Sequence, residues 1–158
     1  MKNKSYKWEV LALLWIAYLL NQADRQVFNI VLPLIRDDLQ LTDTQVGSIA
    51  TIFNLVFAFL VPFAGYFGDI YSKKKLLVLS VFIFSFGTIF TGLSNGILML
   101  ILTRSIATGV GESLYGPPNY SLLASYHKNT RSIAMSIHQT AYYIGVVLSG
   151  IIAGYIGD

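Results

Sequence analysis

Four charged side chains lie inside otherwise apolar stretches of this sequence: Asp24 and Arg25 in the first quarter of the chain, and Arg104 and Glu112 further along. A charge in apolar surroundings is costly unless it is paired or reaches water. A carboxylate in such a place can exchange a proton when its surroundings change, and a guanidinium can bind a carboxylate or phosphate through two hydrogen bonds. These residue types therefore predict proton exchange and anion binding.

Uncharged polar residues accompany these charges at helical spacing. Arg104, Thr108, Glu112, Tyr115 and Asn119 follow one another at intervals of four, four, three and four residues, within one quarter of a helix circumference. We predict that this stripe lines one aqueous path together with two similar polar stripes, one around Asp24 and Arg25 and one around Gln139 and Tyr143. The alternative is that the charges only neutralise one another and fix helix packing. The residues predicted to bind substrate or form ion pairs are Arg25, Arg104, Asn21, Asn54, Thr108, Tyr115, Gln139 and Tyr143.

The segments that contain these residues are long and apolar. With 54% hydrophobic residues, 12% charged residues and a mean hydropathy of +0.60, the chain has too little polar surface for a soluble domain. The sequence predicts an all-α integral membrane protein, because a helix of about 20 apolar residues satisfies its own backbone groups in lipid. Five spans are predicted, near residues 8–35, 45–67, 76–93, 97–126 and 132–156.

Local signals shape the predicted helices. Thr42 and Gln45 can form a capping box that opens the second span. Pro117 and Pro118 predict a kink or an unwound turn just past Glu112. A close-packing face is predicted on the fifth span from its small residues, Gly145, Ser149, Gly150 and Gly154.

The remaining composition indicates an orientation and excludes several kinds of site. The chain has no cysteine and its two histidines form no cluster, so no metal site, disulfide or cofactor is predicted. The net charge of +3 is explained by membrane anchors rather than by nucleic acid. Because cytoplasmic loops are rich in lysine and arginine, the N-terminus is predicted to be cytoplasmic. The basic residues on that side are Lys2, Lys4, Lys7, Lys73, Lys74, Lys75, Lys128 and Arg131.

The loop between the second and third spans contains a motif. Gly65, Asp69, Lys73 and Lys74 fit the pattern Gly-x-x-x-Asp-x-x-x-Arg/Lys-Arg/Lys. This pattern resembles the cytoplasmic gate of major facilitator superfamily transporters. The segment 109–115, Gly-Val-Gly-Glu-Ser-Leu-Tyr, makes the spinster-like branch the most similar part of that family.

The resemblance implies roles for individual residues. Asp24 and Glu112 would couple proton movement to transport, and Gly65, Asp69, Lys73 and Lys74 would form the cytoplasmic gate. The chain departs from the family pattern at Ile70 and Ser72, where relatives have a basic residue and a glycine. It departs again in the fourth span, where Arg104 precedes Glu112 by eight residues rather than the expected seven.

The resemblance also implies an architecture. The chain would form the first five helices of an N-terminal six-helix bundle, ending before helix six, and would be a fragment. Its partners would be the lipid bilayer, protons, a small and possibly anionic solute, and the missing C-terminal half of the transporter.

The predicted function is secondary active transport of a small organic solute or amphiphile by alternating access, coupled to protons, in a bacterial inner membrane. The alternative is a non-transporting membrane subunit or an inactive transporter fragment. An enzyme is not predicted, because the sequence offers no nucleophile with a base, no metal ligand set and no phosphate-binding loop.

Overall fold

The computed structural model describes residues 6–157, and within them the chain forms five helices and no strand. Lys2 and Lys4, two of the basic residues used to predict orientation, lie outside the described residues. The helices are α1 (Tyr6–Asp38), α2 (Asp43–Ile70), α3 (Lys73–Gly92), α4 (Ile97–Tyr126) and α5 (Arg131–Gly157).

Three of these helices, α2, α3 and α4, are long and apolar enough to cross a membrane. The described surface also displays large apolar side chains: Phe59, Val78 and Leu98 are each about 70% exposed. Such surfaces suit lipid rather than water as the solvent. The positions at which the five predicted spans enter and leave the bilayer stay a prediction.

The start of α2 is fixed by the predicted capping box. The Gln45 amide N–H donates to Thr42 Oγ1 over 3.3 Å, and the Thr42 amide N–H donates to Gln45 Oε1 over 2.8 Å. Two backbone donors at the helix start are thereby satisfied. Arg36 at the end of α1 pairs with Asp43 in the first turn of α2, at 3.1 Å. The capping prediction is confirmed.

The helix α4 departs from regular geometry at a place the sequence analysis did not predict. A π-helical stretch, Ile101–Ala107, separates the α-helical residues Ile97–Leu100 from Thr108–Tyr126. The expected unwinding after Glu112 is absent, since Pro117 lies inside the α-helical part. An unwound turn past Glu112 is therefore wrong, since the irregular turn precedes Glu112, and a kink at the prolines stays a prediction.

The chain divides into two compact units. One contains α1 up to Leu34 together with the chain from Leu122 onward, and the other contains Ile35–Ser121. In the first unit, α5 packs closely on α1: a Cβ on Gly145 would lie 2.9 Å from the Leu19 carbonyl oxygen. Ser149 donates to the Ala23 carbonyl over 3.1 Å.

The predicted small-residue face of α5 is thereby divided. Gly145 and Ser149 are buried against α1. Gly150 and Gly154 are exposed, and no atom lies within 4 Å of a Cβ placed on either glycine. Only the first pair acts as a packing face among the described residues.

In the second unit, α2 and α3 both pack on the first half of α4. A Cβ on Gly87 would lie 2.7 Å from the Thr108 side chain, and one on Gly111 would lie 2.6 Å from the Phe84 backbone nitrogen. Gly109 is similarly close to Val56, at 3.2 Å. The glycines let these helices approach to backbone contact, which immobilises the part of α4 that contains the predicted site.

Candidate functional site

The polar stripe predicted on α4 is buried along its whole length. Arg104 is 4% exposed and Glu112 is 6% exposed. The three uncharged members, Thr108, Tyr115 and Asn119, are at most 4% exposed. Each of the two charged residues makes contacts within the structure. The residues predicted from helical spacing therefore share one buried face of one helix.

The π-helical stretch brings Arg104 and Glu112 closer together around the helix than a regular α-helix would. In a regular α-helix eight residues turn through about 800°, which leaves two side chains about 80° apart. In α4 the Thr108 amide N–H instead donates to the Thr103 carbonyl, five residues earlier. This wider turn holds one more residue than an α-helical turn and reduces the angle between Arg104 and Glu112.

Contacts with α2 hold the π-helical stretch in place. The Arg104 guanidinium carbon lies 6.0 Å from the centroid of the Phe53 ring, within range of a cation–π interaction. The neighbouring Ser105 is fully buried, and its hydroxyl donates to the Ile49 carbonyl over 2.8 Å. Thr108 Oγ1 donates to the Arg104 carbonyl.

Ser105 was not among the predicted site residues. It falls outside the helical stripe of its neighbours, so spacing alone gives no reason to select it. A hydroxyl directly beside a buried arginine in an apolar helix is the one signal that could have identified it.

The polar residues of α1 become more exposed along the helix from Asn21 to Arg25. Asn21 and Gln22 are buried, and Gln22 Nε2 donates to Asn21 Oδ1 over 3.0 Å. Asp24 and Arg25 are half-buried, and both make contacts. The polar arc of α1 thus changes from buried amides to partly accessible charges within two helical turns. Whether these charges meet Arg104 and Glu112 stays a prediction.

Three of the other predicted residues are more accessible. Asn54 is exposed on α2, Gln139 is half-buried on α5, and Tyr143 is 63% exposed. The Tyr143 ring packs edge-on against Tyr142, with ring centroids 5.2 Å apart. Burial does not group these residues with the stripe on α4, and their role in binding stays a prediction.

The predicted gate residues lie around a very short connection. The helix α2 ends at Ile70 and α3 begins at Lys73, so only two residues join them. Gly65 and Lys73 are half-buried, whereas Asp69 and Lys74 are exposed. Asp69 lies in the last turn of α2 and Gly65 in the turn before it, while Lys73 and Lys74 lie in the first turn of α3.

A buried histidine joins the start of α1 to the connection between α4 and α5, and the sequence analysis assigned it no role. His127 is 1% exposed, and its Nε2 lies 3.0 Å from the Lys7 carbonyl oxygen. Because a carbonyl only accepts, Nε2 donates, and Nδ1 forms a second hydrogen bond with the Thr130 hydroxyl at 2.9 Å. Lys7 Nζ donates to the same hydroxyl over 3.3 Å.

A second histidine stacks inside the first unit. His138 is fully buried, and its ring centroid lies 4.7 Å from that of Tyr18, with the planes 18° apart. It also forms a hydrogen bond with the Leu14 backbone. These contacts suit a packing role. Among residues 6–157, no three His, Cys, Asp or Glu side chains form a group that could hold a metal ion.

Apolar helices that bury a stripe of arginine, glutamate and hydroxyl groups are typical of one class of protein, the membrane transport proteins. A family model described as Major Facilitator Superfamily matches residues 14–158. The chain belongs to the Major Facilitator Superfamily. Members of this family are transporters and not enzymes, so the predicted membership of a transporter family is confirmed.

Two relatives show the range of similar transporters, and the first of them supports the resemblance to the spinster-like branch. The human protein spinster homolog 1 is 34% identical over 148 residues, which are 92% of this chain and 28% of that protein. The sialic acid transporter NanX of Escherichia coli is 27% identical over 136 residues, 85% of this chain and 33% of that protein.

A solved structure agrees with the fold. It is described as a bacterial homolog to the human lysosomal transporter spinster, in an inward-facing and unoccupied conformation. It matches with a TM-score of 0.90 and 28% sequence identity, over 97% of this chain and 32% of that one. The predicted all-α membrane fold of the major facilitator type and the spinster resemblance are confirmed. The chain spans about a quarter to a third of the length of the curated relatives it matches.

Proposed function

We propose that this chain is part of a secondary active transporter that moves a small organic solute or amphiphile by alternating access, coupled to protons. The observation that supports this most directly is the burial of Glu112 and Arg104 on one face of an apolar helix. Placing a charge at the centre of a membrane helix costs about 2.5 to 3.5 kcal/mol, so such residues are usually kept for function.

Proton coupling is assigned to Asp24 and Glu112. A carboxylate that alternates between a closed, apolar environment and an open, hydrated one changes its proton affinity with each step. Asp24 is half-buried and Glu112 is buried, so both can respond to such a change. Protonation would then favour one conformation over the other, which is the requirement for coupling.

Substrate binding is assigned to the two arginines, Arg25 and Arg104. A guanidinium binds carboxylate, sulfonate or phosphate groups through two parallel hydrogen bonds, and it stays charged when buried. The relative NanX is named for sialic acid, which is an anionic solute. We therefore expect an anionic group on the transported molecule.

The α2–α3 connection supports the assignment of a gate and of an orientation. Three lysines occupy the first turn of α3, where the helix dipole disfavours positive charge. Because the lysines do not stabilise the start of the helix, we assign them to membrane topology or to gating. We propose that Asp69, Lys73 and Lys74, with Gly65, form a cytoplasmic gate of a protein in a bacterial inner membrane, with its N-terminus in the cytoplasm.

Amide substitutions test the proton assignment. In the full-length protein, Asp24→Asn and Glu112→Gln should each remove the pH dependence of solute uptake, because an amide cannot exchange a proton. Glu9→Gln is the control, since Glu9 is exposed in the first turn of α1. Uptake by either amide variant that keeps its normal pH dependence would show that the carboxylate concerned only supports packing.

A further inference from the structure

An apolar groove lies on the first unit, between the first three turns of α1 and the adjacent part of α5. Its volume is about 370 Å³, within the range of small-molecule sites. Five of its residues repeat at helical spacing along one face of α1, and α5 contributes Ile137. The lining residues are Trp8, Leu11, Ala12, Trp15, Ile16 and Ile137.

The lining of the groove is almost entirely apolar. The indole nitrogen of Trp15, one of only two polar side-chain atoms in the lining, donates to Thr140 Oγ1 over 3.0 Å. Thr140 in turn donates to the Ile137 carbonyl over 2.7 Å. Leu11 forms the floor and is 3% exposed, while Trp8 and Ile16 are 40% and 50% exposed. The groove is thus an open apolar channel about 12 Å long, from Trp8 to Ile16.

The N-terminal end of this groove is positively charged. Lys7 Nζ lies 5.2 Å from the centroid of the Trp8 ring, and the hydrogen bond from the His127 ring fixes the Lys7 backbone. The ammonium uses one donor on Thr130 and has two others.

Two further cations belong to the same end of the first unit. Lys128 and Arg131 are exposed and flank Thr130 in the sequence. Glu9, the nearest carboxylate on α1, points about 200° away from Lys7 around the helix, so it does not neutralise this end.

We propose that the groove binds an anionic phospholipid, with one acyl chain between Trp8, Trp15 and Ile137 and the phosphate at Lys7. An acyl chain matches an almost entirely apolar lining, and a phosphate matches a cationic rim at the membrane surface. A polar solute would leave its hydrogen bonds unsatisfied there. The groove also ends more than a turn before Asn21, the first of the polar residues on α1. The lipid is therefore a bound cofactor-like component of the first unit, independent of any transported molecule.

This chain contains two tryptophans, Trp8 and Trp15, and both line the groove, so tryptophan fluorescence reports on the site once any tryptophan outside this chain is replaced by phenylalanine. The full-length protein is reconstituted in vesicles of phosphatidylcholine with a minor fraction of phosphatidylglycerol. In one sample the phosphatidylglycerol has brominated acyl chains, and in the other an equal amount of phosphatidylcholine is brominated. Bromine quenches tryptophan fluorescence on contact, so random contact gives equal quenching in the two samples.

We expect brominated phosphatidylglycerol to quench more strongly, with an enrichment at the groove of about fivefold for one lysine contact. Lys7→Gln should abolish the difference between the two lipids. Ala12→Phe, which fills the groove, should reduce quenching by both lipids. The matched control is Leu13→Phe, one residue further along and 69% exposed, which should change neither. Helicity of each variant is checked by circular dichroism.

Three results would overturn the proposal. Equal quenching by the two lipids in the unmodified protein would show that the groove has no preference for a negative headgroup. A preference that Lys7→Gln leaves intact would place the headgroup elsewhere. Quenching by neither lipid would show that protein, either a second copy or another part of the same molecule, covers the groove.

Discussion

At the scale of single residues, the chemistry of α4 depends on how Arg104 is held. The side chain is 4% exposed, lies over Phe53 and follows the backbone of a π-helical turn. Its fork of donors is therefore presented in one direction, and a shorter or rounder cation could not copy that geometry. Because Arg104 is buried, replacing it with a shorter side chain would leave neighbouring polar groups without a hydrogen-bond partner, and solvent could not take its place.

Replacing this arginine with lysine isolates the geometry from the charge. For an anionic solute that the full-length protein transports, Arg104→Lys should raise the apparent KM about tenfold, because one of two parallel hydrogen bonds is lost. Arg36→Lys is the matched control, since Arg36 forms an exposed ion pair with Asp43 and lies outside the site. An unchanged KM in Arg104→Lys would show that Arg104 does not contact the solute.

At the scale of helices, the π-helical turn in α4 contains one residue more than a regular α-helical turn. Ile106 lies in this turn, between Arg104 and Glu112. Deleting it would leave a spacing of seven residues, which places two side chains about 20° apart on a regular α-helix. The deletion should therefore keep the buried face and change the free energy of unfolding by only about 1 kcal/mol.

The control for this deletion removes a residue from a regular α-helical turn of α4, which contains no extra residue. Tyr120 is as exposed as Ile106, at 40% against 39%, but lies in the α-helical part of α4. Deleting it rotates all following residues by about 100° and should cost more than about 3 kcal/mol. Thermal melting in detergent micelles measures both, and equal losses would contradict the interpretation of the turn as one that contains an extra residue.

The contact between α1 and α5 gives a second prediction at this scale. Gly145→Ala should destabilise the protein by about 1 to 3 kcal/mol, because the new Cβ would lie 2.9 Å from a backbone oxygen of Leu19. Gly150→Ala should be neutral or stabilising, since nothing lies within 4 Å of its Cβ. The difference in melting temperature between the two variants checks the packing face, and equal melting temperatures would refute it.

These helices also show what the sequence could and could not predict. The capping box at Thr42 and Gln45 depends on residues three apart, so local spacing was sufficient to find it. The buried stripe from Arg104 to Asn119 follows helical periodicity, and its burial on one face agrees with that spacing. The π-helical turn was missed because contacts with other helices hold it in place, among them the bond from Ser105 to Ile49.

The two prolines misdirected the prediction for α4. Pro117 removes a backbone donor, which predicts a break in an isolated helix. Here the neighbouring residues Pro118 and Asn119 are buried, and a Cβ on Gly68 would lie 3.6 Å from the Pro118 ring. The helix is thus continuous where α2 packs against Pro118. Contacts between two helices of this kind cannot be predicted from the sequence of one helix.

At the scale of the whole molecule, single cysteines placed in this cysteine-free chain test the orientation directly, in a full-length protein whose other cysteines are replaced by serine. Ser72 lies between α2 and α3 and Asn95 between α3 and α4, and both are exposed. With the N-terminus in the cytoplasm, Asn95→Cys should react with a membrane-impermeant maleimide in intact cells. Ser72→Cys should react only after the membrane is opened, and the reverse pattern would contradict the proposed orientation.

The most direct test of proton-coupled transport is to measure proton movement driven by a solute. The full-length protein is reconstituted in vesicles that enclose a pH-sensitive dye, and a gradient of an anionic solute is applied, with sialic acid as the first probe. We predict a change of internal pH that depends on the solute gradient, and its loss in Glu112→Gln. Solute flux with an undiminished proton movement in Glu112→Gln would contradict the assignment of proton coupling to this buried carboxylate.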